Sequence, residues 1–181
     1  MTDLEQRAEE WIAPYRNAHH LVRARDWALA LEPDASEAVR LAALTHDIER
    51  HFPGGPPVDP TLAPDDENYL REHSERSARI VSEWLRERGA DAALVDEVGE
   101  LVRLHEVGGS GDADLVQAAD SISFFEVNGE LVLRWVHEGR ATPAQSRAKL
   151  DWTFERIRLP RARELARPYY ERAVELLEVA A

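Results

Sequence analysis

Cysteine is absent from the 181-residue chain, and with it go disulfides, thiolate zinc sites and thiol nucleophiles. That absence suits a reducing compartment. Lysine is nearly absent too: the 22 basic residues are all arginine except Lys149, the one ammonium side chain available. Positive charge is scarce as a whole. Against 35 acidic residues the formal net charge is −13, a balance that repels nucleic-acid phosphates and anionic lipid and lacks the basic footprint of a duplex binder. No apolar run approaches the ~20 residues of a bilayer span. The acidic, amphipathic start MTDLEQRAEEWIA has no basic segment leading into an apolar one, as an export signal would. These absences predict a cytoplasmic protein with neither a nucleic-acid nor a membrane partner.

What is present is enough for a core. The chain is 44% apolar, with five tryptophans, and at this length roughly 70% of the unfolded surface can be buried. The apolar spacing is helical almost throughout. Leu4, Ala8, Trp11 and Ile12 predict a first helix over 3–13. A second starts at Pro14 and runs to about Leu31, where Pro33 breaks it. Asp34 or Ser36 caps a third, with Val39, Ala42, Ala43, His46 and Asp47 along one face. Residues 51–66 hold five prolines and two glycines and predict a loop of the length used for lids and binding loops. A long helix over 66–88 ends at Gly89, and Asp91 opens another with Leu94, Val98, Leu101, Val102 and His105 on one stripe. The turn 107–112 leads to a helix over 113–126 that carries Asp120; residues 127–138 read as strand or helix. Two last helices span 143–157 and 161–179, separated by Pro160. The expectation is one all-α domain over residues 1–181.

Seven histidines are present. A lone histidine on an apolar stripe is ordinarily a packed residue with its N–H satisfied. Recurrence changes the reading, because four of these helices each place one on the buried stripe. His46-Asp47 sits near a helix end, and Asp120 lies among alanines. A buried carboxylate needs a partner, and a metal ion is a common partner for convergent imidazoles and carboxylates.

The order of these elements resembles the HD-domain superfamily of metal-dependent phosphohydrolases. HLVRARDWALAL carries His20, Arg23 and Ala24; LAALTHDIER carries His46-Asp47; QAADSISFFE carries the closing Asp120. Between them EHSERSARIVSEWL carries His73 and VGELVRLHE carries His105. The likeness covers about residues 15–127 and implies an all-α HD-type helical bundle with a metal site in its core. It further implies that His20, His46 and Asp120 hold one metal, that Asp47 bridges to a second, and that His73 and His105 complete the second site. His19 is the rival to His20, but the Arg23, Ala24 and Trp27 stripe favours His20, since neighbouring residues point about 100° apart around a helix. The mixed imidazole and carboxylate set favours iron or manganese over zinc.

Asp47 and Glu49 are the candidate catalytic carboxylates. Glu49 reads either as a group that orients a ligand or as a solvated helix end, and Arg50 either as a cation facing an anionic substrate or as a complement to a helix C-terminus. Lys149 and Arg156 are seven residues apart on one helix face. They resemble late basic residues that reach substrate phosphate, with an ion-pair network to Asp151, Glu155 and acids beside Asp120 as the other reading. His51 and His137 are expected at the surface or in structural roles. The implied activity is hydrolysis of a small phosphate ester or nucleotide. An HD-type diiron oxygenase and a non-catalytic, metal-stabilised binding module are the competing readings.

Overall fold

A computed structural model describes residues 1–109 and 111–180. It is all-helical, with no strand among the described residues. The helices are α1 Asp3–Ile12, α2 Ala18–Leu31, α3 Glu37–Thr45, α4 Glu67–Glu87, α5 Ala92–Leu104, α6 Asp112–Ser123, α7 Leu131–His137, α8 Pro143–Glu155 and α9 Pro160–Ala180. A 3-10 turn, Ile48–His51, follows α3, and a π-helical turn, Phe124–Asn128, follows α6. No helix among the described residues is long and apolar enough to cross a membrane.

Local chemistry sets the helix boundaries. Ser36, not Asp34, caps α3, its hydroxyl accepting from the Val39 N–H at 3.2 Å. Asp66 and Asp91 cap α4 and α5 in the same way, on Tyr69 and Leu94. Thr142 and Gln145 form a reciprocal capping box at the start of α8. Gly89 stops α4 with φ +75°, a conformation that suits glycine. Two boundaries differ from expectation, and one left open is decided. Pro14 does not begin α2: successive turns, Tyr15 N–H to Ile12 O and Ala18 N–H to Tyr15 O, delay the helix to Ala18. The ambiguous 127–138 stretch is a π turn and a short helix. Pro160 opens α9 instead of separating it from α8, since a missing N–H is harmless in the first turn. Ser110, within the turn expected over 107–112, lies outside the described residues.

α3 and α6 are the central elements. Ala38, Val39 and every residue from Leu41 to Thr45 are buried in α3, which packs on α1, α2, α5 and α6. α6 is buried at every position from Leu115 to Ser123. Its Ala119 joins a cluster built from α1–α5, while Ala118 and Ile122 join a second cluster with α7, α8 and α9. The helix carrying Asp120 is therefore shared by both halves of the core. Polar Gln117, Asp120, Ser121 and Ser123 are buried with it. Buried polar groups need partners, and theirs lead to the site.

Candidate metal centre

Six side chains fall into two buried triads. His20, His46 and Asp120 form one, and His73, His105 and Glu106 form the other; each triad offers ligand atoms within 4.8 Å of one another. The imidazoles make a continuous arc, with centroid separations of 5.3 Å for His20–His46, 4.9 Å for His46–His105 and 5.2 Å for His105–His73. His20 comes from the first turn of α2, Asp120 from α6 and His73 from α4. His46 and His105 differ: each is the C-cap of its helix. The helix ends there, and the ring turns inward while its Nδ1 meets a carbonyl three residues back.

All four rings are anchored through Nδ1. His46 Nδ1 lies 2.9 Å from Ala43 O, His105 Nδ1 2.7 Å from Val102 O, and His73 Nδ1 2.8 Å from Glu49 Oε1. For His20 the partner is Ser123 Oγ at 2.8 Å; the same hydroxyl donates to the His20 carbonyl, so its oxygen accepts from Nδ1. A proton held on Nδ1 leaves Nε2 as a lone pair. Those Nε2 atoms face the carboxylates. Asp120 Oδ1 is 3.2 Å from both His20 Nε2 and His46 Nε2, and Asp47 Oδ1 is 3.2 Å from His73 Nε2. Yet His46 Nε2 and His73 Nε2, both fully buried, have no aligned hydrogen-bond partner. Lone pairs and carboxylate oxygens converging off-line on a common point are what a cation needs.

The electrostatics show how strongly the carboxylates act. Burial opposes charge on Asp47, but Arg50 and His73 hold it well below the usual carboxylate range. Burial likewise opposes charge on Asp120, where His46 and Arg156 prevail. Glu106 is held down to about 2 against burial by Arg156 and His105. Burial alone would keep His46 neutral, but Asp120 raises its pKa; for His73 the Asp47 and Glu49 bonds do the same. A proton on those two Nε2 atoms is thus the competitor of a cation, and the missing alignment argues against the proton. His105 is pushed by burial down to about 3 and stays a neutral donor atom.

The first triad, with His105 and Glu106 of the second, opens on a cavity of about 640 Å³ lined by residues that include Tyr15, Arg50, Phe124, Lys149 and Arg156, while His73 is fully buried behind it. Six cations and six carboxylates share the wall, so the lining is balanced while the chain as a whole is −13. Residues 58–64 of the proline-rich loop form part of the rim. They are tied to α7–α8 through Arg140 to Val58 O at 3.3 Å and Gln145 to Thr61 O at 3.4 Å.

The remaining expected residues separate by partner. Asp47 makes its close contacts to His73, to Arg50 Nε at 2.6 Å and to the Tyr15 hydroxyl at 3.1 Å. Glu49 does not line the cavity. It is buried behind His73, with Arg76 Nε 3.1 Å from its other oxygen, so it positions a histidine and does not meet substrate. Arg50 lines the cavity while bonded to Asp47 and the Tyr69 hydroxyl. Lys149 has no carboxylate within 4.0 Å among the described residues, and its Nζ rests over Trp152 and Phe124, 4.4 and 5.9 Å from the ring centroids. The ion-pair reading of Lys149 therefore does not hold. For Arg156 the ion-pair reading fits, since it binds Asp120 and Glu106 together with Ser121. His19, His51 and His137 are exposed. Glu106 is the residue that sequence reasoning missed. The adjacent Leu-His-Glu at the end of α5 carried the signal, because a helix that stops at His105 can turn the next side chain to the same side.

No curated protein and no solved structure matches the chain. The HD-domain family model matches residues 18–141, which spans both triads. The matched segment ends before α8, so Lys149 and Arg156 lie outside it. The family consists mostly of metal-dependent hydrolases, and the two buried histidine and carboxylate triads are groups that could hold metal ions; the chain belongs to the HD-domain family.

Proposed function

We propose that the chain is a divalent-metal-dependent phosphohydrolase with a two-metal site, acting on a small organic phosphate. The observation that carries this reading is the set of four Nδ1-anchored histidines whose Nε2 atoms lie close to the buried carboxylates of Asp47, Glu106 and Asp120. His20, His46 and Asp120 would hold one cation. His73, His105, Glu106 and Asp47 would hold the other, with iron or manganese favoured by the donor mix. Such cations supply Lewis-acid polarisation of a phosphoryl oxygen and acidification of a water.

The chain's own residues supply the rest. Lys149 is a cation aimed into the cavity without a carboxylate, suited to a phosphate oxygen. Burial lowers its pKa to about 8, so it carries its proton at neutral pH. Arg50 holds Asp47 in place and faces the same space. Tyr15 is kept protonated by burial and by Asp47, and donates to Asp47 Oδ2. The proline-rich loop and α7 supply part of the cavity wall.

The test is a screen of metal-loaded protein against phosphomonoesters, phosphodiesters and nucleoside phosphates. Phosphate release that a chelator abolishes and Asp47→Ala removes supports the reading. Oxygen uptake without phosphate release would replace it with the oxygenase reading. Tight metal with no turnover would replace it with the binding module.

A further inference from the structure

Each ligand carboxylate of the two triads has one oxygen turned toward histidines and the other toward a single side chain, Arg156. Asp120 Oδ1 faces His20 and His46, while Oδ2 is 2.6 Å from Arg156 Nη2. Glu106 Oε1 faces His105 and His73 at 3.7 and 4.0 Å, while Oε2 is bonded to Arg156 Nη1. The Arg156 side chain is only 10% exposed. Its own orientation is fixed: Nε donates to Ser121 Oγ at 3.0 Å, Nη1 also reaches Glu106 O at 3.3 Å, and the group lies 4.6 Å over Trp152. A planar five-donor fork can hold two carboxylates in fixed directions, which a point charge such as lysine cannot.

We infer that Arg156 is a positioning residue that tethers the two candidate metal sites, presenting one oxygen of Asp120 to the first triad and one oxygen of Glu106 to the second. With its second oxygen engaged, each carboxylate is left to bind a cation through one atom. Because one guanidinium serves both, its loss loosens both sites together. The tether comes from the C-cap of α8, beyond the matched residues 18–141, so the C-terminal helices are part of the centre. The inference rests on the metal-centre reading but adds a residue that acts on the metals through their ligand carboxylates.

The test is calorimetric titration of Mn²⁺ into metal-free full-length protein, with cobalt absorption spectra recorded in parallel. Arg156→Ala is expected to raise the dissociation constant of both sites, each by about 10–100-fold, the usual effect of removing a partner behind a metal ligand. Both cobalt signatures should shift. Arg156→Lys keeps the charge but should still weaken at least one triad by about tenfold, and it carries the test if the alanine variant does not fold. Arg147→Ala is the control. It breaks an ion pair with Asp151 on the exposed side of α8 and should leave both affinities unchanged. Wild-type affinity at both sites in the Arg156 variants, or weakening of one triad alone in Arg156→Ala, would overturn the tether. Failure of the wild-type protein to bind metal would instead overturn the metal-centre reading itself.

Discussion

Glu49 Oε1 accepts a hydrogen bond from His73 Nδ1 at 2.8 Å, so a carboxylate in the turn after α3 sets the direction of an imidazole on α4. Arg76 on the same helix as His73 holds the other oxygen at 3.1 Å. Glu49→Ala should therefore weaken the second triad by about 10–100-fold while the first keeps its affinity. Stepwise metal titration reads this directly, and equal weakening of both sites would contradict it.

Gly55 reaches the same histidine by another path. A Cβ there would collide with Glu49 Oε2 and lie 3.2 Å from Arg76 Nε. The side chains must shift, and Glu49 is buried with little room to do so. Gly55→Ala should cost about 1–3 kcal/mol by overpacking and weaken the second triad as Glu49→Ala does. A chemical-denaturation curve and the same titration check both parts; unchanged values in both would show that the loop yields freely.

Lys149→Ala should leave metal content intact and lower kcat/KM on the best phosphate substrate by about tenfold or more, since a charge-assisted contact is worth ~1.5–3 kcal/mol. Its pKa of about 8, lowered by burial, gives the sign of the pH effect: the ammonium is present below that value and lost above it. The kcat/KM profile should fall on its basic side near pH 8, and Lys149→Arg should move that limb upward, because a guanidinium does not titrate there. An unaltered limb in the arginine variant would remove Lys149 from substrate capture.

Glu126 ties the π turn after α6 back to α2. It accepts from Arg23 Nε and Nη2 at 2.9 and 3.1 Å and from Trp27 Nε1 at 2.8 Å. Burial raises its pKa, but the Arg23 and Trp27 bonds outweigh that and lower it. A carboxylate lowered in the folded state contributes stability above its unfolded pKa and loses it as pH falls through the folded value. Glu126→Gln should lower stability by about 1–2 kcal/mol near neutral pH, with the gap to wild type closing in acid. A gap that persists unchanged to low pH would mean that packing, not the ion pair, holds the turn.

Helical periodicity made most of this fold legible, because capping residues and prolines punctuate it. The hidden parts have physical causes. Residues 127–138 mix apolar and polar positions at no clear period, and the π turn has no sequence signature. His46 and His105 read as stripe residues, yet each terminates its helix, and only the termination turns its ring toward the centre. Glu106 was masked by the same boundary: continued helically, it would point about 100° away from His105. Arg156 was visible as a late cation on the right helix. Its partners depend on where the C-cap of α8 lies relative to α6, a tertiary fact that spacing along one helix does not contain.

The most direct test of the central claim is metal stoichiometry per chain, measured by elemental analysis after dialysis against Mn²⁺ for wild type, His46→Ala and His105→Ala. Two ions should bind to the wild type and about one to each variant, because each substitution removes a ligand from one triad only. A wild-type protein without bound metal, or histidine variants that keep the full count, would return these residues to ordinary core packing and contradict the account.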